Sequence, residues 1–544
     1  MNVEHLHSSI DIDALATWLG IQSTAGRDAL KRKCSTWHSD IASLQSLSYQ
    51  FASVRAAQEQ SPQLCKEVTD LLAQFAQIEP ELRKQLEPDS AMESESKGEL
   101  LFLGSILSPL NFIPYILSIW ATIRVYILPG MSLLMPILMA ILPYILLRFV
   151  FHLKIPMDRY IAMMIGLLAG DTGGLMNPDS TPGLGDLIGG CITQLKQQPV
   201  QALVKMGGVG ATVVQAVVQP YFTYRHLSKI NSLIGTQGSQ LTAVRALYQT
   251  LSDHLTSMGM EMPRCPIPSD LTERQHSASV HLDPVPYKIA MRYIGQIDAI
   301  WKLAEMRDVC TVNWCSGNNS DSTDQSPIFR LTNTFDIRVS SRIPITVNLS
   351  DQRHHALLTG PNRGGKSTAL RAMSLCALLA HTYGCSIGES ADMTPFSYMF
   401  AGLKADDIPG EKSHFEREVE FTAHTLRMDG PTLVFIDELF HTTNPPDALE
   451  SCRIYCQQLW NKNNAVSVIS THLFDLVRTA DTATVQQLCC PAEYNQETGN
   501  VHYKYGLEEG ICTVSSVHEI LGKYGLQPGV GKTHPRTPSL TILI

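Results

Sequence analysis

"GPNRGGKST", residues 360–368, is the stretch from which the rest of the chain is read. A phosphate loop needs glycines because its backbone N–H groups converge on phosphate oxygens, and side chains at those positions would block the approach. Gly360, Gly365, Lys366 and Ser367 satisfy G-x-x-x-x-G-K-[ST]. The flanks agree: "HALL" at 355–358 reads as an apolar strand, and "TALRAMSLCALLAHTYG" at 368–384 reads as a helix. Gly360, Pro361, Asn362, Arg363, Gly364, Gly365, Lys366, Ser367 and Thr368 are therefore the candidate nucleotide-binding residues. In this arrangement Lys366 bridges the β and γ phosphates of ATP, Ser367 holds Mg2+, and the helix start turns its positive dipole end to the anion.

Further along, "PTLVFIDELFHTT" at 431–443 runs through β-branched and large apolar residues into paired acids. That is the pattern of a buried parallel strand delivering carboxylates to its carboxyl-terminal edge. Asp437 is the second candidate magnesium residue, and Glu438 the group that polarises the attacking water. A third strand, "AVSVIS" at 465–470, leads to Thr471 and His472. Alone, that histidine reads as a packing or capping residue. After a strand in this order it reads as a γ-phosphate sensor. The expected catalytic set is Glu438, His472 and Lys366.

The chain has 544 residues, 44% of them apolar, and a formal charge of −9. That is room for several folded domains, and a poor match to a protein living on phosphate backbones, which carries a basic face. Its 13 cysteines form no CxxC pair, so free thiols in a reducing compartment are expected rather than zinc or a disulfide framework. "MNVEHLHSSIDIDALATWLG" lacks the basic start and apolar block of a secretory leader.

Residues 1–98 read as a soluble helical region, as in "EVTDLLAQFAQIEPELRKQL" at 67–86. Then Leu100 to Ile123 and Val125 to Leu147 run without a charge, separated only by Arg124. Each run would reach roughly 34 to 36 Å as a helix, against about 30 Å of hydrocarbon. Residues 99–150 therefore read as a transmembrane hairpin, turning at Arg124. Lys97 before it and Arg148, Lys154 and Arg159 after it place both ends in the cytosol. Prolines 109, 114, 129, 136 and 143 favour the competing reading, a buried helical pair in a soluble core. Residues 151–224 form an apolar, glycine-rich segment containing "MGGVGATVVQAVVQPYFTY" at 206–224, either a further membrane piece or a packed helix. Residues 225–310 read as a helical core, with "LTAVRALYQTLSDHL" and "YKIAMRYIGQIDAIWKLAEM" as amphipathic helices. "CSGNNSDSTDQS" at 315–326 is a boundary loop. Residues 327–530 follow as the ATPase domain, opening with strands expected in "FDIRVSS" and "IPITVNLS".

Several pieces in the right order resemble the ATPase domain of MutS-type DNA mismatch-repair proteins. "TGPNRGGKST" is similar to that family's Gly-Pro-Asn-x-Gly-Gly-Lys-Ser-Thr loop, and "DDIPGEKSHFEREV" at 406–419 to its segment ending in Ser-x-Phe-x-x-Glu. "LVFIDEL", "STH" and, upstream, "IGQIDAIWKLAEM" complete the set. The resemblance spans about residues 230–525. It implies an α/β ABC-type P-loop ATPase domain behind an all-α helical core, working as a homodimer whose composite sites borrow residues across the pair. Ser413, Thr443 and Asn444 are the expected contacts in trans. Two departures stand out. After the acidic pair the family usually reads Gly-Arg-Gly-Thr-Ser-Thr, whereas this chain has Phe440-His441-Thr442-Thr443-Asn444-Pro445. Arg363 stands where the family more often has an apolar residue.

None of the 16 phenylalanines is followed two places later by glutamate, so the family's Phe-x-Glu mismatch wedge is absent. The leading expectation is a multi-pass, membrane-anchored MutS-like ATPase with its ATPase domain on the cytosolic side. The alternative is a soluble cytoplasmic or nuclear factor that binds mismatched or branched DNA. An ATP-driven transporter is disfavoured, because no LSGGQ-like signature precedes the acidic strand.

Overall fold

The computed structural model describes residues 10–87, 96–104, 106–168, 214–315, 326–350, 352–403, 413–495 and 500–524. The chain divides into two compact units: Met1–Gln77, Leu251–Pro263 and Met291–Ile544 form one, and Ile78–Thr250 with Arg264–Ala290 the other.

All strands among the described residues lie in the first unit. They are β1 (Val309–Trp314), β2 (Phe329–Thr334), β3 (Ile345–Leu349), β4 (His355–Thr359), β5 (Cys385–Ile387), β6 (Ser390–Met393), β7 (Tyr398–Gly402), β8 (Thr432–Ile436), β9 (Ala465–Ser470), β10 (Val485–Cys489), β11 (Ala492–Tyr494), β12 (Val501–Tyr503) and β13 (Glu508–Glu509). One sheet has the order β3-β2-β6-β1-β5. The second has the order β13-β10-β4-β9-β8-β7, in which β10, β4, β9, β8 and β7 run parallel and β13 closes one edge antiparallel. Every residue of β4, β8 and β9 is buried, which is why these strands read as unbroken apolar runs rather than alternating ones.

The helix Lys366–Tyr383 packs against both sheets. Fifteen of its 18 residues are buried, so it is apolar nearly all round instead of amphipathic. It ends at Gly384, whose φ of +70° closes the helix by returning its N–H to Ala380 O. A Cβ there would lie 2.2 Å from Ser48 N, because the helix Ile41–Gln60 crosses at this point. Ser48 Oγ donates to Gly384 O (3.0 Å) and accepts from Trp314 Nε1 (2.9 Å). The amino-terminal helices are thus part of the sheet-bearing unit. Arg55 ties them further, donating to the carbonyls of Ala304, Met306 and Val309 at the end of the helix Val285–Glu305.

Two strand readings change. "FDIRVSS" forms no strand, because Asp336 Oδ1 accepts the Arg338 N–H (3.1 Å) in a local turn that ends β2 at Thr334. The strand lies just upstream, and β1 precedes it where the sequence offered only a helix end. The 12 cysteines among the described residues are free, as expected.

The membrane hairpin is the larger correction. Arg124 is not a turn: a single helix, Ile116–Val150, runs through it for 35 residues. Arginine is a good helix former, and nothing around Arg124 stops propagation. Leu100–Ile113 is not a span, since buried Asn111 folds it back by accepting from Phe102 N (3.0 Å) and donating to Phe102 O (2.7 Å). Pro109 lies in a 3-10 turn, Ser108–Phe112. Among the described residues one helix, not two, is long and apolar enough to cross a membrane. Of the glycine-rich run, residues 206–213 lie outside the described residues, and Val214–Val218 leads directly into the helix Gln219–Ser257. The expected boundary at 224/225 falls inside that continuous helical stretch. In this unit Leu117 and Val125 pack with Leu100, Leu101, Leu227, Ile230, Ile234 and Ala278.

Gly384→Ala is expected to destabilise the first unit by more than about 2 kcal/mol, from the left-handed backbone and the collision with Ser48; urea unfolding measures it. His381 is fully buried, stacks on Trp37 at 4.0 Å and accepts the Phe396 N–H at 3.0 Å, and burial pushes its pKa down to about 3. Buried His355 is likewise pushed down to about 3. The unfolded chain therefore binds protons that the folded one refuses between pH ~6.5 and about 3, so stability falls as pH drops through that window. Each histidine should contribute up to ~1.4 kcal/mol per pH unit. Urea midpoints between pH 6.5 and 5 should show this slope, and His381→Gln should reduce it.

Candidate nucleotide site

The three expected motifs come together because β4, β9 and β8 are neighbours with their carboxyl ends at one edge. The loop 360–365 leaves β4, Asp437 and Glu438 leave β8, and Thr471 and His472 leave β9. The loop is tight: Pro361 O accepts the Gly364 N–H at 3.0 Å. A Cβ on Gly364 would meet that same carbonyl at 2.9 Å, and one on Gly360 would meet Cys490 O at 3.0 Å. Arg363 takes a left-handed conformation, with φ of 67°.

Lys366 is only 5% exposed. Its Nζ donates to Gly360 O (3.0 Å) and Pro361 O (3.3 Å), and lies 3.2 Å from His472 Nε2. The same Nε2 lies 3.1 Å from Glu438 Oε1. One ring nitrogen serves one partner at a time: protonated it donates to Glu438, and unprotonated it accepts from Lys366. The position of a single proton thus decides which of the two His472 holds. The His472 hydrogen bond is the main reason that the Glu438 carboxyl sits below its usual range, with the charges of His472, Lys366 and His441 adding to it against partial burial. Burial lowers the Lys366 pKa, while Glu438 and Asp437 oppose the shift.

Glu438 is itself left-handed, with φ of 56°. Such backbone costs a non-glycine residue roughly 1 kcal/mol and needs fixing by its surroundings. Ser470 at the end of β9 does this, accepting the Glu438 N–H at 2.9 Å and donating to Asp437 Oδ1 at 2.6 Å. Sequence reasoning passed over Ser470. Its signal was a hydroxyl at the last position of a mostly apolar strand, directly before Thr471-His472.

A cavity of about 470 Å³ adjoins these groups. One wall is the loop and helix start, Pro361, Asn362, Arg363, Gly365, Lys366, Ser367 and Thr368, with Glu438 beside it. Phe335, Val339, Ile343 and Tyr505, from segments outside the loop, and Arg371, farther along the Lys366–Tyr383 helix, line it as well; none of them bears a motif or was anticipated. Gly360, Gly364, Asp437 and His472 are not in the lining. The size suits a nucleotide, and glycine backbone, one buried lysine, a serine hydroxyl and two carboxylates fit a magnesium–phosphate group.

Ser413, Thr443 and Asn444 do not line this cavity. Ser413 caps the helix His414–Arg427, its side chain accepting from Glu416 N at 3.2 Å. Asn444 caps the helix Pro445–Trp460, accepting from Asp447 N at 3.0 Å, as the Asn-Pro pair suggested. The unusual stretch after Glu438 is bound to the first of these helices. Glu418 accepts from Thr442 Oγ1 (2.8 Å) and pairs with His441 Nδ1 (3.0 Å), while Phe415 packs on Phe440 with ring centroids 5.7 Å apart. Residues 406–412 of the middle segment lie outside the described residues.

Ser470→Ala should leave the cavity intact but loosen both carboxylates. A roughly tenfold or greater loss in phosphate release is expected, the scale of removing a group that orients a metal ligand, with a smaller change in nucleotide affinity; paired turnover and binding assays measure the two separately. With this geometry the sequence comparison agrees: residues 356–526 match the family model of MutS domain V, which is consistent with a MutS-type domain in that part of the chain.

Proposed function

We propose that the protein is a magnesium-dependent ATPase of the MutS type, working as a homodimer anchored to a membrane. The observation that carries the ATPase reading is the contact series Lys366–His472–Glu438 at the mouth of the phosphate loop. Lys366 pairs with the β and γ phosphates, Glu438 orients the water that attacks the γ phosphorus, and His472, within reach of both Lys366 and Glu438, serves as the γ-phosphate sensor. Ser367 and Asp437 would hold Mg2+, which supplies charge neutralisation of the phosphate oxygens. Glu438 is ionised at neutral pH, which suits a group that accepts a hydrogen bond from water.

Dimerisation would bring the capped helix starts at Ser413 and Asn444 toward a partner's nucleotide, as helix amino-termini favour phosphate. In this chain Glu418 and Phe415 fasten the loop after Glu438 to the helix behind Ser413, so the two trans-contact segments move together. That clamp takes the place of the family's glycine-rich stretch. The anchoring reading is supported by the helix Ile116–Val150, whose mean hydropathy is 2.2 over a window only 6% buried.

The second reading, favoured by the family match itself, is a repair factor on mismatched or branched DNA; stimulation of turnover by such DNA, with the protein soluble without detergent, would select it. For the ATPase dimer the test is Glu438→Gln. Turnover should fall by at least about 100-fold while ATP binding persists, a loss on the scale of removing a positioned general base. Light scattering should then show a stable ATP-dependent dimer, and parental hydrolysis by the variant would overturn the assignment.

A further inference from the structure

We infer that the helix segment between Arg124 and Arg148 sits in a lipid bilayer in one fixed register, with the two arginines and their aromatic neighbours at opposite headgroup levels. This rests on the anchoring reading above and goes beyond it by assigning the depth of each residue.

The apolar stretch matches a bilayer in length. Val125 to Leu147 carries no charge, and its 23 residues rise by roughly 35 Å, enough for about 30 Å of hydrocarbon with modest tilt. Its surroundings change at Val125. Before it, Leu117 and Val125 are buried in the small core of their unit; after it, Leu134, Ile137, Leu138 and Leu142 are each more than half exposed. Leu133, Met135, Met139, Ile141 and Ile145 are exposed as well. At about 100° per residue these positions occupy more than half of the helix circumference, whereas a partner helix covers only a stripe. Lipid covers every face that the protein leaves open, Tyr144 near the distal end being the side chain turned to protein.

Both ends are built alike. At Arg124 the guanidinium lies 5.3 Å over the Trp120 ring, and its buried Nε has no hydrogen-bond partner among the described residues. Tyr126 packs on Tyr224 at 6.0 Å, and Tyr221 and Phe222 stand exposed on the adjoining helix. At the other end Arg148 donates to Tyr144 Oη at 2.6 Å, and Tyr144 packs on Tyr160 at 5.1 Å. Phe149 and Phe151 are exposed, and Lys154 and Arg159 follow against a single acid, Asp158. Aromatic side chains with cations beside them, at two levels a bilayer apart, match the two polar interfaces of a membrane. The arginines face lipid phosphates there. Inside the stretch Ser132 Oγ donates to Leu128 O at 2.9 Å, which leaves its hydroxyl proton satisfied within the helix.

The test uses the full chain in nanodiscs of phosphatidylcholine and phosphatidylglycerol, read by amide hydrogen exchange. Protection at least tenfold above that in detergent-free buffer is expected over 125–147, ending near Arg124 and Arg148. Arg148→Leu should move the distal limit by about one helical turn, and Arg148→Lys should restore it. Arg124→Leu gives the same readout at the other end. Protection spread evenly over 116–150, or a limit that stays put in both leucine variants, would overturn the register while leaving the anchor standing. Release of the parental protein from vesicles by alkaline carbonate would overturn the anchor itself, and the register with it.

Discussion

Three parallel strands buried on both faces impose the constraint on which the nucleotide site depends. β4, β9 and β8 have no exposed side chain, and apart from the internal His355–Ser467 pair their polar groups lie at or beyond the strand ends. Their pairing, with Leu358 opposite Ser470 and Ile436 opposite Ile469, makes those ends level. A phosphate loop, a serine hydroxyl, two carboxylates and an imidazole are thereby brought to one edge. Lys366 would be costly to bury alone; the loop carbonyls and the nearby carboxylates stabilise it there.

The same edge explains why strain is tolerated. Arg363, Glu438, Phe440 and Tyr505 all adopt left-handed backbone, and all but Phe440 border the cavity. Fixed hydrogen bonds hold Glu438 in place, and the ring contact with Phe415 holds Phe440. A site assembled this way needs little rearrangement to meet a phosphate. The second unit poses a different problem. Its long helix begins in a small protein core and continues with mostly exposed apolar side chains, Tyr144 against Tyr160 apart, which is the surface on which the anchoring proposal rests.

Local patterns carried the motif readings. Lys366, Asp437, Glu438 and His472 were legible because each lies at a strand end next to a run of apolar residues, a signal confined to a dozen positions. The Asn444 cap was legible for the same reason. Ser470, Phe335, Arg371 and Tyr505 were not, since their roles depend on strands and turns that meet only after folding. The "FDIRVSS" segment misled because alternation suggested a strand, while one Asp336 side-chain bond made a turn.

Composition and spacing by themselves determined that a glycine-rich loop with a lysine follows one apolar strand, that paired acids end another, and that residues 100–147 form an apolar block. Only the tertiary structure decided that the larger part of this block belongs to one helix, Ile116–Val150, with Arg124 inside it. Hydropathy counts residues without registering how Asn111 folds the first half back on Phe102. Only the tertiary structure, too, decided that His472 stands between Lys366 and Glu438. That relation depends on the order of strands in the sheet, and strand order is a property of long-range pairing that no local sequence window contains.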